Sequence, residues 1–192
     1  MTIPIIVLAA LILTIAWVGL TYNRLVSLRL AAENSWAQID VALKLRHDLI
    51  PTLAAAVAGY AGHEQETLTR VAADRSLAVA ADTEAPAARS AKEAQLGGSL
   101  GRMLILAEDY PELRATENFS RMQTDLAAVE ERIAITRRVY NDTVETLNTK
   151  VQVFPSVLVA RGFGFTAREF FAAGASAQVV PSVEIGSGSG PV

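Results

Sequence analysis

The chain has 192 residues, 51% hydrophobic and 19% charged, with 17 Lys/Arg against 20 Asp/Glu and a formal net charge of −3. That balance leaves no basic excess to hold phosphate backbones, so nucleic acid is not an expected partner. The absence of cysteine excludes disulfides, thiolate catalysis, Cys-ligated zinc and a lipoprotein anchor, and two histidines, His47 and His63, are too few for an imidazole-rich metal site.

Residues 1–22 carry no charged side chain. The run from Ile3 to Tyr22 would span about 30 Å as an α-helix, the thickness of a hydrocarbon core. Pro4 falls in its first turn, where a missing N–H costs nothing. Trp17 and Tyr22 sit near its inner end, where amphipathic rings favour the headgroup level. A cleaved export signal would need a basic leader, a shorter apolar run and a small-x-small cleavage site, none of which is seen, so a retained anchor is expected. Arg24 and Arg29 follow the run and no Lys or Arg precedes it. The positive-inside rule then places the N-terminus outside and the rest in the cytoplasm.

Nothing between Gly19 and Pro51 breaks a helix, and Leu25, Leu28, Ala32, Trp36, Ile39 and Leu43 recur every three or four residues on one face. The anchor is therefore expected to continue as one long helix to about Leu49. A kink or restart is expected at Asp48-Leu49-Ile50-Pro51, with Asp48 capping the turn that holds the proline. Gly59 and Gly62 end that piece. A helix from His63 to about Ala81 follows, then a turn at 82–86, then an alanine-rich helix to Leu106. Tyr110-Pro111 is a stop, because a residue before proline avoids helical dihedrals, and Thr116 reads as the next N-cap.

Beyond Thr116, Phe119, Leu126, Ile133, Tyr140, Leu147 and Phe154 fall at an unbroken seven-residue spacing. Met122 and Val129 fill the second seam position in its first half, and Val144 and Val151 do so one place later in its second half. Such a stripe buries itself in a coiled-coil-like bundle. No segment alternates like a strand, so the fold class is all-α. After Pro155 come Phe163, Phe165, Phe170 and Phe171, and then a low-complexity tail rich in Gly, Ala and Ser. By composition the tail is expected to be flexible.

Candidate chemistry is sparse. Glu33, Asp40 and His47 share a heptad spacing that superficially suggests metal ligands, but bundle di-metal sites use Glu-x-x-His pairs and the chain contains none. No cofactor is expected. The cluster Gly97-Gly98-Ser99-Leu100-Gly101-Arg102 lacks phosphate-loop spacing, and there is no Gly-x-Ser-x-Gly elbow. No catalytic residue is assigned, and an enzyme is not expected. Glu130, Arg137, Arg138, Asn141 and Asn148 lie amid the heptads and read as a polar ladder that sets register, with an anion or peptide groove as the alternative. The four C-terminal phenylalanines read as a cap on the bundle core or as a membrane or partner contact.

Several stretches together resemble the LemA family of bacterial membrane proteins. They are Tyr22-Asn23-Arg24-Leu25-Val26, Glu33-Asn34-Ser35-Trp36-Ala37-Gln38-Ile39-Asp40-Val41, Lys44-Leu45-Arg46-His47-Asp48-Leu49-Ile50-Pro51-Thr52-Leu53, Tyr60-Ala61-Gly62-His63-Glu64, Glu108-Asp109-Tyr110-Pro111-Glu112-Leu113-Arg114-Ala115, Asn118-Phe119, Glu130-Glu131-Arg132-Ile133-Ala134 and Arg137-Arg138-Val139-Tyr140-Asn141, completed by Asn148 and Phe154-Pro155. The resemblance runs from Tyr22 to Phe171 and leaves out the tail after Gly174. It departs at Leu45 and Thr52, where the family often has Arg and Asn. It implies one N-terminal membrane helix, a short outward N-terminus and a cytoplasmic antiparallel bundle. The family has no established enzymatic activity, so it supplies no catalytic residues.

The organisation expected is an anchor over 1–22, a LemA-like bundle over 23–171 and a tail over 172–192, in a bacterial inner membrane. The function expected is that of a non-enzymatic scaffold or accessory subunit, presenting Glu33, Asp40, Arg46, His47, Asp48, Tyr110 and Pro111 to a membrane protein complex. Its partners would be the lipid bilayer, that complex and, further, a second copy of the chain. The alternative is a lipid-sensing or membrane-shaping protein that uses Phe163, Phe165, Phe170 and Phe171 together with self-assembly.

Overall fold

The computed structural model describes residues 2–172, so all of the expected tail but Ala172 lies outside the described residues. Its elements in chain order are α1 (Thr2–Ala58), α2 (Gln65–Ala80), a 3₁₀ turn (Ala81–Thr83), α3 (Pro86–Glu108), α4 (Pro111–Arg114), α5 (Glu117–Gln152) and α6 (Ser156–Gly162). Among the described residues there is no strand. The fold is all-α.

The two halves of α1 follow different rules. From Ile3 to Leu20 its large apolar side chains are exposed on every side but for Val18, with Trp17 and Leu20 also near the bundle, and this stretch is long and apolar enough to cross a membrane. Moving each such side chain from water into hydrocarbon is favourable by about 1.5–3 kcal/mol, so the stretch is a candidate membrane span. From Leu25 onward burial becomes periodic. Leu25, Ala32, Ile39 and Leu53 are buried at heptad positions, with Leu28, Ala42, Leu43, Ile50 and Val57 beside them. This stripe packs on α5, which runs back antiparallel to it, while α2 packs on α3.

The core is layered along the rod. Nearest the apolar span, Leu25 and Leu28 meet Leu147, Val159 and Ala160. In the middle, Ala32, Ile39, Ala42 and Leu43 meet Ile133, Tyr140, Val144 and Phe171. At the far end, Ile50, Leu53 and Val57 join Val71, Leu96, Met103, Leu113 and Phe119 in the largest cluster.

Local signals set most boundaries. Pro86 and Pro111 occupy the first turns of α3 and α4. Thr116 caps α5, its Oγ1 accepting the Phe119 N–H at 3.4 Å. Two expectations need correction. The helix does not restart near Asp48 but continues unbroken through Pro51. Proline cannot donate to the His47 carbonyl, and Arg75 Nε on α2 donates to that freed oxygen instead, at 2.7 Å. One intrahelical bond is replaced by a bond between helices. Phe154 leaves the heptad stripe, because α5 ends at Gln152 and this ring points outward. The Ser156 hydroxyl donates to the Lys150 and Val153 carbonyls and closes that helix end.

Candidate functional site

The fourth residue of the series Leu25, Ala32, Ile39, Arg46, Leu53 is an arginine, so helix periodicity drives a guanidinium into the core. Arg46 is buried, and its charge is met from two directions. Glu93 of α3 pairs with its Nη2, and Glu130 of α5 accepts from its Nη1 at 3.0 Å. The adjacent His47, also buried, places Nε2 3.0 Å from the other Glu93 oxygen. Burial alone would push the Glu93 carboxyl up. The His47 hydrogen bond and the Arg46 and His47 charges outweigh it and hold the group below its ordinary 4.5.

One turn toward the N-terminus of α3, the buried Arg89 repeats the device. It pairs with Asp40 of α1 and with Asp82 of the 3₁₀ turn, the latter at 2.8 Å, and its guanidinium lies over the Trp36 ring at 5.4 Å. Here α1 and α3 are joined by charge pairs, Arg46 with Glu93 and Asp40 with Arg89.

The expected interaction residues therefore divide. Arg46 and His47 are internal, Asp40 is half-exposed on the Arg89 pair, and Asp48 is exposed. Asp40, His47 and Asp48 line a crevice of about 430 Å³ between α1 and α2, with Val41, Lys44, Arg75, Val79 and Asp82. Glu33 lies outside it and pairs with Arg168 at 2.6 Å. Tyr110 packs against the far apolar cluster and Pro111 starts α4, so neither joins the crevice. Glu33, Asp40 and His47 each hold a different cation or carboxylate. Among the described residues no group of three His, Asp or Glu could hold a metal.

The expected polar ladder on α5 divides as well. Glu130 belongs to the Arg46 cluster. Arg137 lines a groove between α1, α3 and α5, and Arg138 is exposed. Asn148 donates to the Arg168 carbonyl and accepts its N–H, both at 2.8 Å. Asn141 does the same for Phe171 at 3.0 Å. The Tyr140 hydroxyl donates to the Glu169 carbonyl at 2.9 Å, and burial, partly offset by Arg168, pushes its pKa up. These three side chains clasp the segment after α6 to the bundle. The phenylalanines take separate places: Phe171 is buried against Trp36, Phe165 packs near Leu25 under Arg29, and Phe163 and Phe170 are exposed.

The roles of Glu93 and Arg89 as internal binders were not visible in local sequence, and for Asn141, expected in the polar ladder, only the partner was not. Arg46 is expected as an outward contact, although the register of Leu25, Ala32 and Ile39 passes through it and could have shown its burial.

Fold and site together define an elongated α-helical bundle continuous with a helix apolar enough to cross a bilayer, clamped internally by buried ion pairs. A model of the LemA family matches residues 35–185, most of the chain, and the chain belongs to that family. The match begins later than the motif resemblance and runs past it, into residues beyond Ala172. The chain is 33% identical over 75 residues to magnetosome protein MamQ 2 of Paramagnetospirillum magneticum, covering 39% of this chain and 28% of that one. It is 32% identical over 75 residues to magnetosome protein MamQ of Magnetospirillum gryphiswaldense, with the same coverage. Protein LemA of Metamycoplasma hominis is 26% identical over 129 residues, covering 67% of this chain and 58% of that one. The chain thus spans less than two thirds of each of these relatives.

Proposed function

We propose that the chain is a non-enzymatic scaffold held in a bacterial plasma membrane by residues 3–22, with its N-terminus outside and its bundle in the cytoplasm. In this reading the α1–α2 crevice receives a segment of a membrane protein complex. One observation carries it. Both signs of charge, from Lys44, Asp48, Arg75 and Asp82, surround the half-exposed Val41 and Val79. Leu45, one turn from Val41, is exposed on the same helix face. A rim of mixed charge around apolar contacts suits a polypeptide partner better than a small substrate.

A photo-crosslinking residue at Val41 or Val79 should trap one stoichiometric protein in membranes. Asp48→Lys should abolish the product while leaving helicity intact. Recovery of monomer alone from gently solubilised membranes would remove the scaffold reading. Orientation is checked separately: a fluorescent protein fused after Val192 should glow and an alkaline phosphatase fusion should stay inactive, and the reverse would invert the topology.

A further inference from the structure

The junction between α5 and α6 exposes large apolar side chains in the wrong place for water. Phe154 is 74% exposed, Leu158 62%, Phe163 58% and Val153 52%. They fall within eleven residues of one corner, unlike the scattered single residues that soluble surfaces tolerate. Their setting on the molecule explains them. Phe154 and Val153 share a crevice with Trp17, Leu20 and Arg24 of α1, and Phe163 packs at a tilt against Tyr22 with ring centroids 4.9 Å apart. Val18, inside the apolar span, packs on the cluster that holds Val159 and Ala160 of α6.

Residues 17 and 22 are separated by about 7.5 Å of helix. The α5–α6 corner therefore overlaps the last turns of the apolar run by about the 5–10 Å to which interfacial helices bury their apolar faces. Its charge is mainly basic, with Glu145, which lines a hollow beside Val153, the acidic neighbour. Arg24, Arg29, Lys150 and Arg161 surround the corner, and none forms an ion pair among the described residues. No Asp or Glu occurs in residues 1–32 or between Glu145 and Glu169.

We infer that the α5–α6 corner, through Phe154, Leu158 and Phe163, is seated in the bilayer interface as a second membrane contact, with its four basic residues on anionic lipid headgroups. The inference rests on residues 3–22 spanning the bilayer. A single helix leaves the bundle free to swing about its exit point. A second contact one helix diameter away, about 10 Å, fixes the tilt of the rod. Arginine and lysine beside apolar rings suit the anionic leaflet, where the side chains place charge at the phosphates while the rings enter the acyl boundary.

The chain has no native cysteine, so single cysteines report cleanly. The full chain carrying Phe154→Cys or Leu158→Cys is labelled with an environment-sensitive fluorophore and reconstituted in phosphatidylglycerol-containing vesicles. Lipid-borne nitroxide is the membrane quencher and iodide the aqueous one. Leu11→Cys reports the span. Ile135→Cys, exposed on α5 about 25 Å farther along the helix, reports the water-facing bundle. Labels at 154 and 158 should follow Leu11→Cys, quenched by nitroxide and sheltered from iodide. At 154 the nitroxide quenching should fall about 2-fold or more in vesicles of phosphatidylcholine alone. If Leu11→Cys is quenched and the corner labels behave like Ile135→Cys, the second contact is overturned while the span stands. If Leu11→Cys itself is unquenched, the span reading fails. Shelter from both quenchers would mean that protein, such as a second copy, covers the corner, and would overturn the proposal. Unchanged quenching without phosphatidylglycerol would overturn its electrostatic part.

Discussion

At the far end of the bundle Ile50, Leu53, Leu96 and Met103 close on Phe119 in an apolar cluster. Halfway along, α1, α3 and α5 meet instead through Arg46, Glu93, His47 and Glu130. Both regions are largely buried, with Glu130 the half-exposed member, but they fail differently. Shortening an apolar side chain removes contacts in proportion to the atoms lost. Removing one member of a buried ion cluster leaves the others charged and unpaired, so the cost follows desolvation rather than size. The middle is therefore the brittle region, and its variants test that contrast.

Glu93→Ala strands Arg46 and His47 and should destabilise the bundle by about 3–5 kcal/mol in detergent, read by denaturant unfolding. A cost below that of an apolar truncation would break the contrast. The same carboxylate carries a pH signature. A depressed folded pKa contributes stability above the unfolded value and loses it as pH falls through the folded one. Circular dichroism melts should therefore show stability declining below about pH 4.5, with a shallower decline for Glu93→Gln.

In the far cluster, Leu96→Ala should cost about 2–4 kcal/mol, without pH dependence. Asn148→Ala removes both bonds to Arg168 and should cost about 1–3 kcal/mol. Hydrogen exchange should then accelerate at 168–171 before any other segment. The pair Arg121–Glu117 lies on the exposed face of α5, and Arg121→Ala should leave stability within about 0.5 kcal/mol of the parent.

The legible parts of the fold are those with a period or a cap. The apolar span, the α1 stripe, the α5 heptads and the Thr116 cap are properties of neighbouring residues, and each stands where the sequence pattern puts it. Pro51 misleads because the remedy for its missing N–H is Arg75, in another helix. Phe154 misleads because spacing continues after the helix has ended. At the site, Arg46 is expected as an outward contact, although the register of Leu25, Ala32 and Ile39 puts it in a core position. Glu93 and Arg89 are not legible, because nothing local in an alanine-rich helix marks which charges turn inward. Asn141 and Asn148 are legible as a pair one heptad apart, but their ligands are peptide groups 30 and 20 residues downstream.

That asparagine pair works as a ruler. One heptad of α-helix advances about 10.5 Å, and three residues of extended chain reach about 10 Å, so the two lengths are nearly commensurate. Gripping Arg168 and Phe171 at that separation leaves the chain between them close to its full reach. A residue deleted between 168 and 171 would leave the chain too short for both grips, and Phe171 could no longer be held while Arg168 was.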